Sequence, residues 1–325
     1  MKSQLIKILK IVIPIGIGVY LTWYFFSGLN EEQIQQTKDA FFEANYFWVG
    51  LGLLVAFLSH LSRAYRWRFL LEPLGYKPKL SNAYHAVMAG YVINFTVPRS
   101  GEFARAGLLT NYEKVPFEKG FATIVIERVI DVIMLGIVVF ITGLLQVNSD
   151  QLNQITNSGE PSDKTWLIYV AIGVVLIGII GLFFFFTNAK FKAFCIDKLK
   201  GFYEGLKSIW TMKKKWAFIF HTVFIWSCYV GSIWIFAQAF PETSAIEIGC
   251  IFGAFVVGAA AIAILPGGIG AYPTWVNQVL LIYGISFAAF GIFIWVAQTV
   301  LIVILGLLSL FLIQRQPKLV EVEKD

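Results

Sequence analysis

Apolar residues fall in long blocks separated by short polar stretches. Blocks at Ile11–Phe26, Tyr46–Leu71, Pro116–Gln146, Trp166–Phe186, Trp216–Phe240 and Phe287–Leu312 predict full membrane spans, since a helix needs about 20 mainly apolar residues to cross hydrocarbon. Two further blocks are interrupted. Ser81–Phe95 runs only to Asn94, Pro98 and Gly101 before the helix resumes at Ser100–Tyr112, and Ala245–Leu265 meets Pro266–Gly267–Gly268–Ile269–Gly270 before a short helix at Thr274–Tyr283. Each reads as a re-entrant helical hairpin, because broken backbone at membrane depth is tolerated only where protein or water satisfies it.

The predicted fold is therefore all-α: a polytopic integral membrane protein with about six full spans plus two re-entrant hairpins, in a single transmembrane domain over 1–325. Its first half is 1–146 with the hairpin at 81–112. A cytoplasmic amphipathic segment follows at 188–215, then a second half at 216–313 with the hairpin at 245–283, and a short tail at 314–325. In the 188–215 segment Phe191, Cys195, Leu199, Phe202, Leu206 and Ile209 recur at steps of three or four, the stripe of a helix lying on a membrane surface.

Charge orients this layout. Asn30–Asn45 carries Glu31, Glu32, Asp39 and Glu43 against Lys38, whereas the 188–215 segment holds Lys190, Lys192, Lys198, Lys200, Lys207, Lys213, Lys214 and Lys215. Basic residues collect on the cytoplasmic side, so both termini are expected in the cytoplasm of a multi-pass cell-membrane protein. The two hairpins then enter from opposite sides, the arrangement of an inverted repeat whose broken helices build a site near the midplane. Arg63, Arg66 and Arg68 close the second span and are expected to snorkel to the headgroups, with an approach of Arg63 and Arg66 to the charged core as the alternative.

Composition agrees with the pattern. The chain is 58% hydrophobic and 14% charged, against about 25% charged in soluble domains. The net charge of +6 reports orientation, not nucleic-acid binding. Cys195, Cys228 and Cys250 lack CxxC spacing, and His60, His85 and His221 lack metal-ligand spacing; no metal site, disulfide or cofactor is expected.

Six ionisable residues break the apolar background: Arg99, Glu102 and Arg105 in the first hairpin, and Glu127, Arg128 and Asp131 in the span that follows. A lone charge at the bilayer centre costs roughly 2.5–3.5 kcal/mol, so these must be paired, near an interface or lining a wet cavity. Glu102 and Arg105 are spaced i, i+3; Glu127 and Asp131 i, i+4; Arg128 and Asp131 i, i+3. Arg99 would stand at a helix mouth beside backbone N–H groups, a place suited to an anion. The expectation is two clusters facing each other across a polar cavity. A cytoplasmic loop would make Pro98 and Gly101 ordinary turn residues, but the flanks at 83–96 and 121–145 are too apolar for it. The Gly-rich break supplies Gly267, Gly268 and Gly270, whose backbone amides suit an anion-binding nest, although such breaks also serve as hinges or packing contacts.

Pro98-Arg99-Ser100-Gly101-Glu102 with Arg105, Glu127-Arg128 with Asp131, and Pro266-Gly267-Gly268-Ile269-Gly270 resemble the lysylphosphatidylglycerol synthase transmembrane family, a flippase-like membrane domain also found as stand-alone proteins. The resemblance runs from about Ile6 to Leu312. Family members often carry a Glu shortly after the Gly-rich motif, where this chain has Tyr272-Pro273. No aminoacyl-transferase domain follows Arg315, so the resemblance implies the translocating half without lysyl transfer. It implies a protein that binds and translocates an anionic lipid, a phospholipid or a polyprenyl-phosphate-linked headgroup, with Arg99, Glu102, Arg105, Glu127, Arg128, Asp131, Gly267, Gly268 and Gly270 at the substrate. Membrane lipids are the expected partners, and a homo-oligomer or a separate lipid-modifying enzyme is left open. The alternatives are an integral membrane glycosyl or acyl transferase or its accessory, and a proton-coupled carrier with Glu102, Glu127 and Asp131 as relay residues. No Ser or Cys has an evident base nearby in sequence, which weighs against an enzyme.

Overall fold

The computed structural model describes residues 20, 22–24, 26–96, 100–147, 209–317 and 319. The expected spans at 11–26, for its greater part, and 166–186, most of the 188–215 segment, and Arg99 lie outside them. The chain divides into two compact units, residues 1–146 with 214–325, and residues 147–213. In the second unit Met212 N–H donates to the Ile209 carbonyl at 3.1 Å. The long helices belong to the first unit.

Among the described residues the unit is all-helical. Its α-helices are α1 (Glu31–Glu43), α2 (Tyr46–Leu71), α3 (Leu80–Thr96), α4 (Gly101–Glu113), α5 (Phe117–Val147), α6 (Lys215–Ala237), α7 (Ile248–Ile264), α8 (Ala271–Ile282) and α9 (Ala289–Gln314). Short 3₁₀ turns stand at Glu72–Leu74 and Pro266–Gly268. By length and composition α2 with its following turn, α6 and α9 can cross a membrane, which agrees with a multi-pass membrane protein. α1 was not foreseen as a helix. Asn30 starts it with a capping box, its side chain accepting from Gln33 N–H at 2.8 Å while the Gln33 side chain accepts from Asn30 N–H at 3.1 Å, so two otherwise orphaned donors are satisfied at once.

One order of elements occurs twice: a long helix, a two-armed hairpin and a second long helix. The first hairpin has arms of 17 and 13 residues, α3 and α4; the second has arms of 17 and 12, α7 and α8. In the second, small residues let the arms close. A Cβ on Gly258 would stand 2.6 Å from the Tyr272 ring, and one on Gly253 3.1 Å from Val279, which explains the glycine spacing as helix packing. Tyr272, where the family resemblance leads one to expect a Glu, is buried against α7 and belongs to its packing.

α2 packs along α6, and α3 packs along α9. The α3–α9 approach depends on Gly306, whose Cβ would meet Val92 and the Met88 carbonyl at 2.8 and 2.9 Å. Two apolar cores result. One joins Trp67, Leu71, Val87, Leu109 and Ile124 of α2 to α5, and the other gathers Phe236, Ile251, Ala254, Phe290 and Ile294 from α6, α7 and α9.

Candidate functional site

The end of α3 meets the Gly-rich break. Phe95, near the end of α3, lies against Gly267, where a Cβ would collide with its ring. Gly267 has φ +60°, so only glycine combines that backbone with that contact. The loop is held on its other side by Trp295, whose indole N–H donates to the Gly267 carbonyl at 2.7 Å. Gly268 N–H donates to Leu265 at 2.9 Å and Ile269 N–H to Pro266 at 3.3 Å. The amides of Gly268 and Ile269 thus close a 3₁₀ turn. Gly268 and Gly270 also have positive φ.

Within the first hairpin the arms cross at Gly90 and Gly101, each of which has no room for a side chain against the other's carbonyl. That approach lets Asn94 of α3 cap α4: its side-chain oxygen accepts from Gly101 N–H at 2.7 Å. One amide of the helix mouth is therefore already occupied by a neutral acceptor, where an uncapped anion seat was expected.

The charged residues form one cluster. Arg105 Nη1 lies 2.7 Å from Glu127 Oε2, and Arg128 Nη2 lies 3.0 Å from Glu102 Oε1. The i, i+3 pairing of Glu102 with Arg105 is replaced by these contacts across helices, because the arms of the hairpin set each side chain against α5. Arg128 also reaches Asp131, at 3.6 Å. Between the two clusters lies a polar cleft of about 10 Å³, lined by Tyr91, Asn94, Gly101, Glu102, Arg105 and Arg128, room for roughly one water. A larger depression of about 270 Å³ lies far from the charges, bordered by Glu43, Asn45 and Phe240, and it has no convergent cations.

Two members come from α2. Arg63 and Arg66 are 4% and 0% exposed, not snorkelling: Arg63 Nη1 donates to Asp131 at 2.9 Å and Arg66 Nη2 donates to it at 3.2 Å, while Arg66 Nη2 also lies 3.5 Å from Glu127. α6 holds them in place. Tyr229 and Thr222 accept from Arg63 and Arg66 at 3.3 and 3.1 Å, and the Phe218 ring faces the Arg66 guanidinium at 5.4 Å. The sequence carries a signal for this, since Ser59, His60, Arg63, Arg66 and Trp67 recur at steps of one to three residues and are all buried. Arg68, off that stripe, faces the Tyr65 ring instead.

Trp67 supports Arg105. The guanidinium lies 3.6 Å from the centre of the indole ring, a desolvated cation–π contact worth about 2 kcal/mol or more. The indole N–H donates to Thr123 Oγ1 at 2.8 Å, which fixes the ring. Arg105 keeps Nε and Nη2 buried without hydrogen-bond partners, and neither Glu127 oxygen receives a well-angled hydrogen bond. The Arg105–Glu127 contact is thus mainly ionic, with donor capacity left over.

Four arginines, Arg63, Arg66, Arg105 and Arg128, here face three carboxylates, Glu102, Glu127 and Asp131. Among the described residues the cluster holds one positive charge in excess. Removing one partner of a buried pair typically costs about 3–5 kcal/mol, so the inner members hold the helices together as well as shaping the site. Among the described residues no group of His, Cys, Asp and Glu is arranged to hold a metal ion.

Two known proteins are similar to this chain. The chain is 23% identical over 303 residues to the UPF0104 membrane protein MJ1595 of Methanocaldococcus jannaschii, covering 83% of this chain and 85% of that one. It is 27% identical over 146 residues to Glycosyltransferase AglD of Haloferax volcanii, covering 41% of this chain and 23% of that protein's length. No solved structure matches. The family model of the lysylphosphatidylglycerol synthase TM region matches residues 11–315, and the chain belongs to that family.

Proposed function

We propose that the protein binds an anionic lipid at the arginine cluster and carries it across the membrane. The observation that supports this reading is the excess cation: a buried group of four arginines and three carboxylates that reaches the surface at Arg128, whose side chain is 46% exposed. A phosphate there would meet a guanidinium able to make charge-assisted, bidentate hydrogen bonds. The apolar remainder of such a ligand stays in lipid. Arg99 precedes the mouth of α4 in sequence and is assigned to the same headgroup.

The topology proposed with it has both termini in the cytoplasm, about six spans and two re-entrant hairpins of opposite orientation. Single cysteines at Asn157 and Glu242 should label from outside, and one at Lys200 only after permeabilisation; external labelling at Lys200 overturns the layout. The function is tested by reconstituting the protein into vesicles with fluorescent phosphatidylglycerol and measuring translocation per folded molecule. Arg128→Ala and Arg99→Ala are expected to reduce it at least tenfold, and unchanged rates in both variants overturn the site. The partial match to AglD favours one other reading, an integral membrane glycosyltransferase. Formation of a glycosylated lipid by the purified protein from a sugar donor would establish that instead.

A further inference from the structure

The cleft at the mouth of α4 is bordered by two unused hydrogen-bonding atoms of opposite kind. Glu102 Oε2 is buried and accepts no hydrogen bond, and Arg105 Nη2 is buried and donates none. Both residues line the cleft, and Tyr91, Asn94 and Arg128 complete its polar walls. Glu102 commits its other oxygen to Arg128, at 3.0 Å, and Arg105 commits Nη1 to Glu127, at 2.7 Å. Among the described residues Glu102 and Arg105 make no ion pair with each other. A spare acceptor and a spare donor therefore belong to the walls of one small space without meeting.

Buried polar atoms without partners are costly, and these two select what can pair them. A carboxylate oxygen only accepts and a guanidinium nitrogen only donates. The complementary group must donate to Glu102 and accept from Arg105 through one atom, in a space of about 10 Å³. A hydroxyl oxygen does so. An ammonium has donors alone and would stand beside the Arg105 charge; a carboxylate or a second phosphate has acceptors alone and would stand beside Glu102. The free edge of Arg105 is also held still. The Trp67 indole covers one face of the guanidinium at 3.6 Å, and Nη1 is tied to Glu127.

We propose that the cleft seats a headgroup hydroxyl: Arg128 takes the phosphate of the lipid, and Glu102 and Arg105 read a neutral hydroxyl carried next to that phosphate. The ligand class is a phosphodiester lipid with a hydroxyl-bearing headgroup, selected over lipids whose phosphate carries only hydrocarbon or an ammonium. Arg128 and Glu102 are the more exposed members, at 46% and 21% against 4% for Arg105, and stand on the outer side of the cleft. Arg128 leaves that wall when it turns to a phosphate, so capture of the phosphate and admission of the hydroxyl are one event. This rests on the anion-site reading above and names the headgroup chemistry that the site selects.

The test compares two soluble lipids on the full-length protein in detergent. Dihexanoyl phosphatidylglycerol and dihexanoyl phosphatidylpropanol carry the same phosphodiester charge and the same chains, and only the first has headgroup hydroxyls. The readout is the ratio of their affinities by titration calorimetry, which cancels any change in phosphate binding itself. The wild type is expected to prefer phosphatidylglycerol by about tenfold or more, the scale of a hydrogen bond to a charged group. Glu102→Ala removes the acceptor and is expected to bring the ratio to about one, whereas Glu102→Gln keeps an oxygen acceptor there and should retain part of the preference. Equal affinities in the wild type overturn the hydroxyl seat while leaving the anion site intact. An undiminished preference in folded Glu102→Ala overturns its assignment to this cleft. Absence of binding of either lipid by folded wild-type protein overturns the anion site itself, and the hydroxyl seat with it.

Discussion

The two hairpins share an outline and differ in what holds them. α3 with α4 and α7 with α8 have first arms of equal length and second arms that differ by one residue. The first is closed by charge: Arg105 and Glu102 reach across to Glu127 and Arg128 of α5. The second is closed by apolar side chains seated on glycines, the Tyr272 ring on Gly258 and Val279 on Gly253, and contains no ionised side chain between Ile248 and Ile282. One architecture thus carries a specific, polar hairpin and an apolar one that supports it. Ion pairs have alternative partners and can exchange, whereas interlocked packing is bistable only at a much larger cost.

Truncation should therefore hurt the first hairpin most. Arg105→Ala leaves Glu127 with Arg66 alone, at 3.5 Å, and removes the cation from the Trp67 face. A loss of about 3–5 kcal/mol is expected, read as the midpoint of denaturant unfolding in detergent. In the second hairpin Gly258→Val forces methyl groups into the Tyr272 ring, and overpacking of this kind costs roughly 1–3 kcal/mol. The contrast is broken if Gly258→Val proves the more damaging. Gly267→Ala tests where the hairpins meet. Strain at φ +60° and the clash with Phe95 together should cost about 1–3 kcal/mol, and adding Phe95→Ala should recover part of that, since it relieves the clash and not the backbone.

How far the sequence discloses this depends on the kind of interaction. Helix boundaries are legible because apolar runs and the prolines and glycines at the breaks act locally: α2 is read at Tyr46–Leu71 from the pattern alone and found there. Arg105, Glu127, Arg128, Glu102 and Asp131 are legible as a cluster because a charge in an apolar run must be compensated. Which acid meets which arginine is not, since intrahelical spacing proposes Glu102 with Arg105 while the crossing of α3 and α4 at Gly90 and Gly101 turns them toward α5. Arg63 and Arg66 look like snorkelling residues by their place near a span end. Only the buried stripe they share with Ser59, His60 and Trp67, and partners about 160 residues away on α6, reveal them as interior. The Gly-rich break is legible only as a break: glycine permits a nest and a tight turn equally well, and the contact with Phe95 is invisible in sequence.

The smallest expected effect on stability belongs to the outermost pair, and it sharpens the contrast within the first hairpin. Arg128→Ala removes one contact with Glu102 and a 3.6 Å contact with Asp131, which keeps Arg63 and Arg66. Because Arg128 is half exposed, the pair is screened and its loss should cost about 1 kcal/mol or less. The loss should shrink further in high salt, where charges interact over only about 3 Å at 1 M. The same substitution is expected to remove lipid binding, so stability and binding separate at Arg128 and fall together at Arg105. Unfolding midpoints and lipid titrations on both variants decide the matter. A cost at Arg128 equal to that at Arg105 would make the outer pair part of the scaffold, not a cation open to a ligand.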